Sequence, residues 1–321
     1  MKPVLAILND YQDVALTFGD FDSLREHFDI RVYRRPFAGE QETVAELADA
    51  TVVIAMRERT PFTRNVFEGL PELRYLVTTG TRNAAIDLGA AGEHGVVVSG
   101  TGMSKYAAGE HTWALLMAAS RHIPAEVAAV RGGGWQTTVG TELNGRTLGL
   151  VGLGRIGAQV ARYGLAFGMT VKAWSSNLDP AHAEKLGVEP VSRDRLFAES
   201  DFVSVHLVLS ERTRGIVGAG ELALLGPGGL LVNTSRGPLV DEAALVEALT
   251  TGALGAAALD VYDTEPLPAD HPLRRLPNVL ATGHIGFVTA QGYQVAYSQA
   301  VENIQAWLRG APIRVIDYGR S

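Results

Sequence analysis

Short runs of β-branched and other apolar residues alternate along the chain with stretches whose apolar positions recur every three or four residues. That alternation is the signature of βαβ units feeding a parallel sheet. Two series of strands are predicted, at residues 4–8, 30–33, 52–55, 75–78 and 96–99, and then at 148–151, 170–174, 202–207, 230–233, 257–261 and 279–281. A helix over 104–121, with Ala108, Trp113, Leu116 and Ala119 among its apolar positions, bridges the two series. The run Arg131-Gly132-Gly133-Gly134-Trp135 cannot hold a helix and is read as a loop or arm. After the last strand, Val301, Ile304 and Leu308 share one face of a final helix that returns to the first lobe. The pattern predicts two α/β lobes, the second inserted into the first.

Composition agrees and removes several classes of function. At 321 residues the chain exceeds what one core accommodates, and 46% hydrophobic with 20% charged residues is an ordinary globular mix. Lys and Arg total 28 against 35 Asp and Glu, a net charge of −7, and no basic run is present. Nothing in that balance attracts nucleic acid or an anionic membrane. The absence of cysteine removes disulfides, thiolate metal sites and cysteine nucleophiles, and fits a reducing compartment. The opening apolar run stops at Asn9-Asp10, too soon for a secretory signal, and no stretch approaches membrane-spanning length. The expectation is a cytoplasmic protein with no nucleic-acid or membrane partner.

The segment Leu148-Gly149-Leu150-Val151-Gly152-Leu153-Gly154-Arg155-Ile156-Gly157 is a strand running into G-x-G-x-x-G. Gly152 permits the tight turn, Gly154 lets backbone approach a pyrophosphate, and Gly157 lets helix and strand pack closely. The following helix, with Ile156, Val160 and Phe167 on its buried face and Gly168 at its C-terminal cap, presents N–H groups and a positive dipole end to phosphates. A second strand at 170–174 completes the unit, so a nicotinamide dinucleotide is expected here. At the end of that strand an acid would bind the ribose 2′-hydroxyl, but Ser175 stands in its place. Both NAD and NADP therefore remain open.

Ligands of open α/β sheets gather beyond the carboxyl ends of the strands. The polar residues at those ends in the second series are His206, Ser235-Arg236, Asp260 and His284, with Glu265 shortly after Asp260. An always-charged planar fork suits a substrate carboxylate and carbonyl, which Arg236 offers. A hydroxyl proton needs an acceptor that titrates near neutrality, which a histidine supplies, and a carboxylate beside it fixes its tautomer. The histidines at 27, 94, 111, 122, 182 and 271 show no ligand spacing, so no metal is expected.

The glycine turn, Asn233-Thr234-Ser235-Arg236-Gly237-Pro238-Leu239-Val240-Asp241, Leu259-Asp260-Val261-Tyr262-Asp263-Thr264-Glu265-Pro266-Leu267 and Gly283-His284-Ile285-Gly286 together resemble the D-isomer-specific 2-hydroxyacid dehydrogenases, in order and over nearly the whole chain. The resemblance implies a Rossmann dinucleotide-binding domain at 101–286 inserted into a flavodoxin-like substrate domain at 1–100 plus 287–321. It implies catalysis by Arg236, Glu265 and His284, with His284 as acid and base. It implies cofactor contacts from Gly152, Gly154, Arg155, Ile156, Gly157, Ser175, His206, Thr234, Ser235 and Asp260, the last near the nicotinamide carboxamide. The loop Thr79-Gly80-Thr81-Arg82-Asn83 resembles the family's substrate loop, whose backbone N–H groups at Gly80 and Thr81 hold the substrate carboxylate. Arg57 and Glu110 also stand in familiar contexts, Arg57 as a substrate ligand. The family further implies hydride transfer between NAD or NADP and a D-2-hydroxy acid or its 2-keto acid, and a homodimer with the 132–141 arm at its interface.

Departures from the family pattern bear on the substrate. Gly283 replaces the usual proline before the histidine, Phe287 a small residue after it, Val208 a proline, and Arg82 an aspartate. Too few residues follow Phe287 for the regulatory domain that some phosphoglycerate dehydrogenases carry, so none is expected. The rival from another class is a dinucleotide-sensing corepressor on the same fold. The lack of long disordered or basic tails argues against it. Formate oxidation is a third reading, disfavoured by chain length.

Overall fold

The computed structural model describes residues 2–317; position 1 and positions 318–321, the extreme ends of the expected outer domain, lie outside the described residues. The chain divides into two compact units, Met1–Lys105 with Val288–Ser321, and Tyr106–Phe287.

The first unit holds five strands, β1 (Val4–Ile7), β2 (Asp29–Val32), β3 (Ala50–Ala55), β4 (Tyr75–Thr78) and β5 (Val97–Gly100). They form one parallel sheet in the order β2-β1-β3-β4-β5, the flavodoxin-like doubly wound arrangement. Strands covered on both faces read as continuous apolar runs, and β1 and β4 are buried at every position. The helix Ala290–Leu308 belongs to this unit and buries Tyr297, Ala300 and Ile304. Asn303 Nδ2 donates to the Gly100 carbonyl at 2.9 Å, and Trp307 stacks on Tyr75 with ring centroids 5.2 Å apart. Leu308, expected on the buried face, is instead exposed: Trp307 takes the covering role in the last turn.

The second unit holds β6 (Thr147–Val151), β7 (Thr170–Trp174), β8 (Glu189–Pro190), β9 (Phe202–Val205), β10 (Leu230–Asn233), β11 (Ala256–Leu259) and β12 (Val279–Ala281). The seven-stranded parallel sheet runs β12-β11-β10-β9-β6-β7-β8. The chain winds one way from β6 to β8 and the other way from β9 to β12. The topological switch point therefore lies between β6 and β9, where ligands of such sheets bind. Two clusters, around Val205, Leu231 and Leu259 on one face and Leu150, Val160 and Val232 on the other, bury the sheet.

Several boundaries moved. The two-residue β8 was not predicted, being too short to show a period, and its Pro190 sits on the sheet edge where a missing donor is tolerated. The strand expected at 202–207 ends at Val205, and that at 257–261 ends at Leu259, which makes His206 and Asp260 the first residues beyond their strands. The bridging helix spans Ala107–Ser120. Phe167 does not lie on a buried face; it is exposed at the helix C-cap, packing on Trp113 with centroids 5.0 Å apart, and Gly168 at φ +75° follows it. After the helix Ile123–Arg131 the arm is a loop, with Trp135 76% and Val139 91% exposed. Among the described residues no helix is long and apolar enough to cross a membrane.

Candidate active site

At the switch point the three glycines have three different reasons. Gly152 adopts φ +104°, and a Cβ there would lie 2.7 Å from the His206 carbonyl oxygen. At Gly157 a Cβ would meet the Gly152 carbonyl oxygen at 2.1 Å, so helix and turn touch through backbone. Gly154 has an ordinary φ of −75°, and among the described residues no atom lies within 4 Å of a Cβ built there. The first two glycines are required by the chain itself. The third keeps a space open that the chain does not fill, in front of the first turn of the helix Arg155–Ala166. That helix has no acid in its first turn and no side-chain cap among the described residues. A helix start with neither an acid nor a side-chain cap, beside an open backbone position, fits a dinucleotide pyrophosphate. Arg155 opens the helix with its side chain exposed, Ile156 is half-buried, and Ser175 follows β7 half-buried.

His206 closes the other side of this turn. Its N–H donates to the Val151 carbonyl at 2.8 Å, and its Nε2 pairs with Ser204 Oγ at 2.9 Å. The residue is half-buried, but Nδ1 is enclosed with no partner among the described residues. Burial lowers the imidazole to about 4, so it is neutral at neutral pH.

The loop after β10 is folded on its own polar groups. Asn233 Oδ1 accepts the Ser235 N–H at 3.1 Å while its Nδ2 donates to the Arg236 carbonyl at 2.9 Å. Ser235 Oγ donates to the Val205 carbonyl at 2.6 Å, and Thr234 Oγ1 meets Thr112 Oγ1 at 2.6 Å. Arg236 Nη1 donates to the Ser235 carbonyl at 2.7 Å. A Cβ on Gly237 would fall 2.0 Å from the Tyr262 carbonyl carbon, so this loop rests directly on the loop after β11.

In that second loop Glu265 Oε1 accepts the Tyr262 N–H at 3.0 Å, and Glu265 Oε2 stands 2.6 Å from His284 Nδ1. A carboxylate accepts, so Nδ1 carries the hydrogen and Nε2 is the ring nitrogen left for exchange. Burial pushes the Tyr262 phenol up, and its OH donates to the Thr282 carbonyl at 2.9 Å. The Phe287 ring meets the imidazole edge-on at 5.8 Å. Glu265 and His284, 19 residues apart in sequence, thus meet from neighbouring strand ends.

His284 itself has φ +53°, an uncommon conformation outside glycine, and Asp260 holds it there. Asp260 is fully buried. Its Oδ1 accepts from Thr282 Oγ1 at 2.6 Å and the Ile285 N–H at 2.9 Å, and its Oδ2 from the Gly286 N–H at 2.8 Å. His111 Nε2 lies 3.2 Å from Oδ1. Burial works against the charge, but hydrogen bonds from His111, Thr282 and Ile285 outweigh it and hold the carboxyl below its ordinary range. Gly283 needs no special room: among the described residues nothing lies within 4 Å of a Cβ built there. His111, Thr112 and Thr282 were not singled out in the sequence. Their parts depend on how the helix Ala107–Ser120 packs, which no local spacing reveals.

The substrate-loop residues lie in the first unit. Arg57 has φ +49°; its N–H donates to Thr79 Oγ1 at 3.0 Å, and its carbonyl accepts from Asn83 Nδ2 at 2.6 Å. A Cβ on Gly80 would lie 3.5 Å from Arg57 Nη1, so guanidinium and loop are neighbours. One expectation needs correcting here. The Gly80 N–H is engaged by Thr101 Oγ1 at 3.0 Å, and the Gly80 carbonyl by the Thr101 N–H at 2.9 Å. Thr81, exposed beside it, has no such commitment to the neighbouring strand end among the described residues.

Residues 113–286 match the profile of the D-isomer specific 2-hydroxyacid dehydrogenase NAD binding domain. The chain belongs to the D-isomer specific 2-hydroxyacid dehydrogenase family. Within it, the chain is 42% identical over 266 residues to the D-3-phosphoglycerate dehydrogenase of Mycobacterium tuberculosis, covering 82% of this chain and 50% of that protein. It is 33% identical over 317 residues to the glyoxylate reductase of Korarchaeum cryptofilum, covering 97% and 94%. The crystal structure of a phosphoglycerate oxidoreductase from Vibrio cholerae superposes with a TM-score of 0.91 at 36% identity, over 96% of this chain and 99% of that one. The chain spans about half the length of the curated phosphoglycerate dehydrogenases it matches. Its dinucleotide is NAD or NADP. A corepressor-like role draws no support from these relatives, each of which carries a dehydrogenase, oxidoreductase or reductase name.

Proposed function

We propose that the chain interconverts a D-2-hydroxy acid and its 2-keto acid with NAD or NADP as hydride carrier. The observation that carries this reading is the 2.6 Å His284–Glu265 pair, on the same sheet edge as Arg236 and the dinucleotide turn. The nicotinamide, when bound, accepts or gives the hydride at the substrate's C2. Arg236 grips carboxylate and carbonyl oxygens with its planar fork, and its positive charge stabilises the oxyanion as the carbonyl is reduced. His284 Nε2 takes the hydroxyl proton in oxidation and returns it in reduction, while Glu265 holds Nδ1–H and stabilises the imidazolium. Arg57 and the Thr81 backbone bind the substrate carboxylate or a second anionic group. The names of the relatives point to phosphorylated and small unphosphorylated acids, so the panel to assay is glyoxylate, hydroxypyruvate, phenylpyruvate and a phosphorylated 2-keto acid, each with NADH and NADPH.

His284→Gln is expected to lower kcat by about a hundredfold or more while the dinucleotide Kd stays within about twofold. Unchanged turnover would remove His284 from the mechanism. The exposed Ile123, Val127, Val130, Trp135 and Val139 favour burial against a second copy, and we read the enzyme as a homodimer. Sedimentation as a monomer alone would contradict that.

A further inference from the structure

In a Rossmann unit the adenosine ribose lies past the end of the strand that follows the glycine helix, where a carboxylate on the 2′-hydroxyl selects against a 2′-phosphate. Here that strand is β7, and Ser175-Ser176-Asn177 follow Trp174. The first acid downstream is Asp179, whose Oδ1 accepts the Ala181 N–H at 3.0 Å as the cap of the helix Pro180–Lys185. The chain thus puts hydroxyls and an amide at the strand end and commits the first carboxylate downstream to a helix cap.

A cation arrives from the other side. β8 pairs with β7 through Lys172↔Glu189 and Ala173↔Pro190, and the Val191 N–H donates to the Ala173 carbonyl at 3.1 Å. The chain leaving β8 therefore runs beside the end of β7. Arg193 opens the next helix, Arg193–Ala198, and its guanidinium carbon lies 5.6 Å from the centroid of the Trp174 ring. Arg193 Nε pairs with Glu221 Oε1 at 3.2 Å, and Glu221 Oε2 accepts the Gly218 N–H at 2.9 Å. The ring face and the ion pair hold the guanidinium at this edge, with the side chain still 42% exposed.

Resting on the dinucleotide reading above, we propose that Arg193 and Ser175 recognise a phosphate on the adenosine 2′-oxygen, so that the chain binds NADPH more tightly than NADH. A stacked guanidinium presents its fork to phosphate oxygens without first being ordered, and a serine hydroxyl donates where a carboxylate would repel. Glu221 offsets part of the charge and keeps the preference moderate. Arg155, at the pyrophosphate end, serves both nucleotides alike.

The test is a pair of binding titrations on the full chain, NADPH against NADH, by equilibrium dialysis, with adenosine 2′,5′-bisphosphate and AMP as competitors. The wild type is expected to favour NADPH by about tenfold, and the bisphosphate over AMP in the same sense. Arg193→Met is expected to narrow the NADPH:NADH ratio about tenfold while leaving the NADH Kd unchanged. Ser175→Asp, which leaves the Glu221 pair untouched, is expected to reverse the preference. Equal affinities in the wild type, or a ratio unmoved by both substitutions, would overturn the proposal while sparing the reading beneath it. Binding of neither nucleotide would overturn both.

Discussion

Two turns at the carboxyl edge of the seven-stranded sheet pass through positive φ, and they are built by opposite means. The turn after β6 reaches φ +104° at Gly152 by leaving side chains out, so that backbone touches backbone at Gly157. The turn after β12 reaches φ +53° at His284 by inserting a side chain, the buried Asp260, which gathers Thr282 Oγ1 and the N–H groups of Ile285 and Gly286. A turn made of space presents backbone N–H groups to a ligand. A turn made of hydrogen bonds can aim a reactive ring, because the strain at that residue is met by a neighbour.

The comparison breaks most severely at Gly157. Gly157→Ala puts a methyl 2.1 Å from the Gly152 carbonyl oxygen, and is expected to cost about 3 kcal/mol and to abolish NADH binding. Gly154→Ala meets nothing within 4 Å among the described residues, so it is expected to leave the thermal midpoint of the free protein unchanged and to weaken NADH binding at least tenfold. Thermal melts beside binding titrations separate the two glycines; a normal midpoint for Gly157→Ala would refute the packing argument.

On the second turn, Asp260→Asn keeps the shape but offers an NH2 where donors converge. It is expected to destabilise the protein by about 2 kcal/mol and to lower kcat, with the NADH Kd close to that of wild type. Weakened NADH binding with normal kcat would instead make Asp260 chiefly a cofactor residue.

A smaller effect distinguishes the turns by acid. Burial lowers His206, beside the glycine turn, from 6.5 to about 4, so the unfolded chain binds the extra proton between those values. Its contribution is complete above about pH 6.5 and is lost as pH falls toward 4, by up to about 3 kcal/mol. Asp260 is held below its ordinary 3.8, so its contribution persists through that window and is lost only in stronger acid. Urea midpoints at pH 7 and 4.5 should fall for the wild type and fall less for His206→Gln. Equal losses in both would place the acid sensitivity elsewhere.

The same contrast explains what was legible in the sequence. Gly152, Gly154 and Gly157 sit within six positions between a strand and a helix, so the local pattern carried their geometry. All eleven longer strands were visible as apolar runs, whereas the two residues of β8 offered no period at all. The Asp260 cluster draws His111 from a distant helix and Thr282 from the next strand end, a meeting fixed by packing alone. Arg193 was invisible for the related reason that its nearness to Trp174 depends on β8. The Gly80 expectation missed because nothing local showed that Thr101 would claim the amide.

The contact between Gly237 and the Tyr262 carbonyl has a practical reach. Because the Arg236 loop lies on the Glu265 loop through bare backbone, neither can be shortened, lengthened or shifted while the other stays. On the function proposed above, the charge that would grip a substrate and the carboxylate that would steady its proton acceptor behave as a single machined part. Substitutions meant to reshape the surroundings of His284 therefore belong at Phe287, whose ring meets the imidazole from outside that pair of loops and can be exchanged without re-laying them.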